Sequence, residues 1–172
     1  DLDLDGALDV FIARDAGDGY RRSYVFRGDG RGALEPVSTI EGVGNFRTER
    51  WVSSFDSDQN GSADLLVLGR GSAPTISTAV PPKTHHWLAV KLVGKHKRGE
   101  SFSNARGIGA KVEVKSGDRW TIRQCGVGGN GDDKVHVGLG PRTKADYIRV
   151  LWPDGALQSE MEIASDQTIT IE

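Results

Sequence analysis

Two short stretches of this 172-residue chain carry oxygen-bearing side chains on alternate residues around a glycine. The first reads Asp1-Leu2-Asp3-Leu4-Asp5-Gly6-Ala7-Leu8-Asp9 and runs into Val10-Phe11-Ile12. The second reads Asp56-Ser57-Asp58-Gln59-Asn60-Gly61-Ser62-Ala63-Asp64 and runs into Leu65-Leu66-Val67-Leu68. Each puts a carboxylate or amide oxygen at loop positions 1, 3, 5 and 9, with glycine at position 6. Alternate residues of a tight loop can all turn inward on one point, and a hard cation such as Ca²⁺ takes about six to eight oxygen ligands. The glycine supplies a sharp turn that a Cβ would obstruct. Asp, Asn and Gly are also ordinary hairpin residues, and one copy alone would be read that way. Two complete copies, each launching an apolar strand, point to metal. The expected ligands are Asp1, Asp3, Asp5 and Asp9 for one Ca²⁺ and Asp56, Asp58, Asn60 and Asp64 for a second, joined by the backbone carbonyls of Ala7 and Ser62. Four carboxylates against three should make the first site the tighter.

The elements that must hold these loops are strands. An EF-hand loop opens the same way but closes on a Glu at position 12 between two helices. Here position 12 is Ile12 in one loop and Val67 in the other, both inside apolar runs. The loops recur 55 residues apart, a period that fits a unit of several short strands such as a propeller blade. Residues 23–27 and 34–37 read as a hairpin around the turn 28–32,. Residues 50–55 enter the second loop and 63–68 leave it, and no stretch has helical periodicity,. The short loop D-x-D/N-x-D/N-G-x-x-D leading into a strand resembles the calcium loop of FG-GAP/VCBS repeats, the blades of integrin-like β-propellers. That resemblance implies partial β-propeller-type repeats over residues 1–80, with Ca²⁺ in a structural role. Because the chain opens on a ligand without the strand that should lead into it, it reads as a piece of a longer protein. Upstream propeller blades of the same parent chain are then its expected neighbours.

Residues 69–86 are rich in Gly, Ser, Thr and Pro and read as a linker or exposed loop, with a domain boundary near residue 82,. Beyond it the segments 87–93, 110–114, 120–123, 147–152 and 168–171 alternate apolar and polar residues. Such alternation means strands with one buried and one wet face, hence a small antiparallel β-sandwich or barrel. Four elements occur there in order: Trp87-Leu88 with Val90-Lys91-Leu92, Gly107-Ile108-Gly109-Ala110-Lys111-Val112, His136-Val137-Gly138-Leu139-Gly140, and Val150-Leu151-Trp152-Pro153-Asp154-Gly155. Together they resemble the ASPIC/UnbV domain, over residues 85–172. That family usually follows FG-GAP/VCBS repeats at the C-terminus of secreted proteins, including relatives of cartilage acidic protein. Two departures are Gly128-Gly129-Asn130-Gly131, where relatives often carry a Gly-Tyr-like turn, and the long loop 95–106.

Composition narrows the function. The net charge is −2, divided into 13 acidic and 8 basic residues over 1–80 and 11 acidic and 14 basic over 81–172. Neither part is basic enough for nucleic acid, and no apolar run is long enough to span a bilayer, so membrane insertion is not expected. Cys125 is the single cysteine, which rules out an intramolecular disulfide,. Weak Ca²⁺ sites suit a millimolar-calcium compartment, so the expected location is extracellular or periplasmic. No nucleophile elbow, zincin helix or phosphate loop is present,. Cys125 lacks an activating partner in sequence and reads as an idle thiol. The glycines at 126–131 lie between strands, which does not fit a nucleotide cradle.

The remaining motifs have bland readings. His85, His86 and His136 lack a third ligand at zinc spacing and read as strand caps and a turn or core position. Arg27-Gly28-Asp29 spells an adhesion tripeptide but equally satisfies a hairpin turn. Lys95-His96-Lys97-Arg98 with Arg106 reads as a solvated loop, with acidic glycans as the minority reading,. A glycan on the Asn60-Gly61-Ser62 sequon would destroy a metal ligand. The expected function is a non-enzymatic, calcium-binding extracellular interaction or scaffold segment with a protein or glycan ligand. The alternative is a carbohydrate-binding or targeting accessory region of a larger enzyme. It would be favoured if at least two of Trp87, Trp120 and Trp152 stood exposed on one face.

Overall fold

The computed structural model describes residues 1–12, 24–37, 49–69, 73–94, 103–126 and 133–172. Within them every regular element is a strand. In the first part, β1 (Val10–Ile12), β2 (Tyr24–Gly28) and β3 (Leu34–Val37) form one antiparallel meander. A second meander joins β4 (Glu49–Phe55), β5 (Asp64–Gly69) and β6 (Thr75–Ser77). Their buried faces share a small core of Leu2, Val25, Leu65, Val67 and Ala79, so the first acidic loop itself contributes an apolar residue to it. The stretch expected to be a linker is therefore corrected in part. Despite its Ser, Thr and Pro content, residues 75–77 pair with β5, and Ala79 just beyond is fully buried.

The second part is a sandwich of two sheets. One has the order β10 (Lys134–Gly140), β7 (His86–Leu92), β13 (Gln167–Ile171); the other has β12 (Leu157–Ala164), β11 (Lys144–Leu151), β8 (Lys111–Ser116), β9 (Arg119–Gln124). Alternation turns Leu88, Val90, Leu92, Val135, Val137, Leu139 and Ile171 from the first sheet onto Val112, Val114, Ala145, Ile148 and Val150 of the second,. The described strands close neither a barrel nor a propeller. One pairing departs from the expected antiparallel pattern: β13 runs parallel to β7. After the turn at Ser165-Asp166 the chain leaves β12 for the opposite sheet, and the Asp166 amide donates to the Trp87 carbonyl at 2.7 Å.

β10 and β12 were not legible as strands. Gly138 and Gly140 interrupt the apolar pattern of β10,. β12 is an edge strand whose residues are mostly exposed, so no alternation marks it. The outer face of the four-stranded sheet carries Trp120, Ile122, Leu151, Leu157 and Met161, all exposed, with Tyr147 and Arg149 between them. These residues alternate with the core set, and the two sets should respond differently to truncation. Ile148→Ala, at a fully buried position, should cost about 2–5 kcal/mol in urea unfolding. Ile122→Ala, at a position 60 % exposed, should stay within about 0.5 kcal/mol; equal losses would refute the assignment of faces.

Candidate metal centres

Both acidic stretches fold into the same loop. At position 4, Leu4 and Gln59 each adopt φ of 60°, and at position 6 Gly6 and Gly61 adopt 91° and 87°. Left-handed backbone is uncommon for a residue with a side chain, so its recurrence at one position marks a shared conformation. The position-9 carboxylate closes each ring: Asp9 Oδ2 accepts the Leu2 N–H at 2.7 Å, and Asp64 Oδ2 accepts the Ser57 N–H at 2.9 Å. Its other oxygen reaches out to the hairpin that follows. Gly28 N–H donates to Asp9 Oδ1 at 3.1 Å, and Ala79 N–H to Asp64 Oδ1 at 2.9 Å. Position 1 accepts from the glycine of its own loop, Gly6 to Asp1 Oδ1 at 3.2 Å and Gly61 to Asp56 Oδ2 at 3.0 Å. The loops also touch each other, since the buried Ser62 hydroxyl donates to the Leu2 carbonyl at 2.8 Å.

Carboxylate oxygens of Asp1, Asp3 and Asp9 lie within 4.8 Å of one another, and those of Asp56, Asp58 and Asp64 do the same. The structure thus brings together three of the four expected ligands in each loop. The fifth-position side chains are engaged locally. Asp5 Oδ1 accepts the Ala7 N–H at 2.7 Å and lies 3.6 Å from Arg119 Nη1. Asn60 Oδ1 accepts the Ser62 N–H at 2.8 Å, while its Nδ2 donates to Asp58 Oδ2 at 3.1 Å. An all-oxygen, carboxylate-rich donor set fits a hard divalent cation and offers nothing to a soft one.

Crowding these groups has an electrostatic cost. Asp64 is fully buried, and so is the Asp9 side chain. Burial, followed by the neighbouring charges of Asp5 and Asp9, pushes the Asp3 carboxyl above the usual carboxylate range. Burial does the same to Asp56. The nearest cation to Asp3 is Arg27, whose Nε stands 2.7 Å from Asp3 Oδ2.

Arg27-Gly28-Asp29 is thereby spent on local structure. Arg27 and Gly28 face the first loop, and Asp29 Oδ1 accepts the Arg31 and Ala33 amides at 2.7 and 3.0 Å. His85 and His86 stand at the start of β7, as expected, whereas His136 lies inside a strand and not at a turn. His85 Nδ1 donates to the Asp3 carbonyl at 2.6 Å, and His136 Nδ1 stands 3.8 Å from Asp56 Oδ2. His86 meets Asp166 Oδ2 at 2.6 Å on another side of the sandwich. Cys125 is buried, with Sγ 3.4 Å from the Arg106 carbonyl, and burial pushes its thiol up, away from the reactive range,. Of the three tryptophans weighed for sugar stacking, Trp152 is 6 % exposed, Trp87 half-buried and Trp120 57 % exposed with its ring edge-on to Tyr147. The condition set for sugar stacking is therefore not met. Residues 95–98 and 128–131 lie outside the described residues.

Comparison with protein families agrees with this order of parts. Residues 1–67 match the family model described as FG-GAP-like repeat, and residues 100–172 match the one described as ASPIC and UnbV. The FG-GAP-like match comes first and the ASPIC and UnbV match second, the order expected from the sequence. No curated protein matches it. Both acidic loops fall inside the FG-GAP-like match, and β8 to β13 fall inside the ASPIC and UnbV match. FG-GAP-like repeats are typical of extracellular or periplasmic proteins. Among the described residues no helix is long and apolar enough to cross a membrane.

The raised carboxyls of the FG-GAP-like loops give a pH signature in metal-free buffer. A carboxyl whose folded pKa exceeds its unfolded value contributes stability while protonated, and loses it as pH rises through the folded pKa. Asp3→Asn/Asp56→Asn should therefore gain over wild type at neutral pH, and the gain should shrink towards about pH 4, where wild type is increasingly protonated. Urea unfolding at both pH values checks this; a difference independent of pH would contradict it.

Proposed function

We propose that the FG-GAP-like loops hold two structural Ca²⁺ ions and that the chain is a non-enzymatic interaction or scaffold segment of an extracellular or periplasmic protein. The observation that carries this reading is duplication: two loops of one sequence grammar share backbone conformation, hydrogen bonds and a convergence of three carboxylates. A turn motif kept only for its hairpin needs no such convergence. Bound Ca²⁺ would supply charge compensation to groups that otherwise repel. Asp9 and Asp64 would then face an ion and the next hairpin at once, so the loop and its strands tighten together. The expected partner is a protein, in line with an outer face on which Trp120, Ile122, Leu151, Leu157 and Met161 stand exposed among the charged Lys111, Glu113, Lys115 and Arg149,.

Thermal unfolding in EDTA and in millimolar CaCl₂, on wild type and Asp56→Ala/Asp64→Ala, tests the proposal. A ligand that binds only the folded form, at about 100 times its Kd, adds about 2.7 kcal/mol per site. Wild type should melt several degrees higher with calcium, and the double variant should lose one site's share of that rise. A wild-type melting point indifferent to calcium would refute the metal reading.

A further inference from the structure

Strand β10 carries the His136-Val137-Gly138-Leu139-Gly140 motif of the ASPIC and UnbV segment, to which no role has yet been given. Val137 and Leu139 point into the sandwich core, so residues 136, 138 and 140 share the opposite face. That face meets both acidic loops. Gly138 N–H donates to Asp1 Oδ2 at 2.9 Å across 137 residues of sequence, while Asp1 Oδ1 takes the Gly6 amide of its own loop. The register of β10 on β7 shifts between Gly138 and Gly140. Gly140 N–H donates instead to the carbonyl of Leu4, the left-handed residue of the first loop, at 2.8 Å. A Cβ on Gly138 would lie 2.5 Å from the Leu4 carbonyl carbon and 2.6 Å from Asp1 Oδ2, so only glycine permits this approach. Two residues earlier, His136 reaches Asp56, the equivalent position-1 carboxylate of the second loop.

The neighbouring strands add to the cradle. His85 holds the Asp3 carbonyl, and the Thr121 hydroxyl donates to the Gly6 carbonyl at 3.3 Å. Gly61 of the second loop packs on the Trp87 indole so closely that a Cβ there would come within 2.1 Å of the ring.

We infer that β10 and its neighbours are the outer shell of the metal centres: the ASPIC and UnbV segment orients the ligands of the repeat that precedes it. Gly138 and His85 are positioning residues for the first ion. This rests on the calcium reading above. Outer-shell hydrogen bonds to metal ligands commonly change affinity by about 10–100-fold, and here they come from a different segment than the ligands do.

Calorimetric titration of the whole chain with CaCl₂ tests this. Wild type should bind two ions, and Asp56→Ala/Asp64→Ala should leave the first-loop ion alone for measurement. In that background Gly138→Ala should weaken the remaining ion about tenfold or more. In the otherwise wild-type chain it should weaken one ion and spare the other, a selectivity that general loss of stability would not produce. Should Gly138→Ala fail to fold, His85→Ala, which adds no bulk, carries the test with a several-fold loss confined to the first ion. Wild-type affinity at the first loop in both variants would overturn the inference and leave the calcium sites standing. A wild type that binds no calcium would instead remove the calcium reading itself, before any cradle variant is made.

Discussion

Three carboxylates held within a few ångströms of each other repel, and the arrangement of the rest of the chain follows from how that repulsion is managed. The loops spend backbone amides on it first. Amides of Leu2, Asp5, Gly6 and Ala7 in one loop, and of Ser57, Asn60, Gly61 and Ser62 in the other, each donate to an acidic or amide oxygen of the same loop. Amide dipoles orient and partly stabilise anions, yet Asp3 and Asp56 remain harder to ionise than free carboxyls,. The fold thus keeps an electrostatic deficit at both loops, of the kind that a bound cation would relieve. The small apolar core around Leu65 and Val67 would be a weak reason by itself to hold the two meanders together,.

The shape of the acidic loops was readable because it is local. Alternating acids around a glycine fix a loop within nine residues, and the structure reproduces that loop twice, down to the left-handed position 4. Strands with strong alternation, such as β7, β8 and β11, were equally visible. What the sequence did not disclose is non-local. Nothing in His136-Val137-Gly138-Leu139-Gly140 reveals which backbone approaches its glycines, because the partners lie more than a hundred residues away. His85 looked like a strand cap because its acceptor, the Asp3 carbonyl, has no sequence signature at all. β6 was hidden by composition: three residues suffice for a strand when β5 offers an open edge.

The two family segments are not beads on a string. In many multidomain chains the contact between neighbours is small and polar, and relative motion is the default. Here the contact is made by backbone groups of the first loop and by glycines that tolerate no side chain. The serine hydroxyl bridging the two loops extends the connection from the first loop to the second.

The parallel pairing of β13 with β7 has a consequence for how the molecule is made. Gln167 aligns with Leu88 and Ile171 with Leu92, so the sheet that bears β10 on its other edge is completed only when residues 167–171 are available. Pairings this distant in sequence are slow to form. On the ribosome the acidic loops emerge well before the surface that receives them, and the newborn repeat must wait with its carboxylates unsupported. The order of the strands therefore makes the last residues of the sandwich a requirement for finishing the sheet on whose far edge the acidic loops rest.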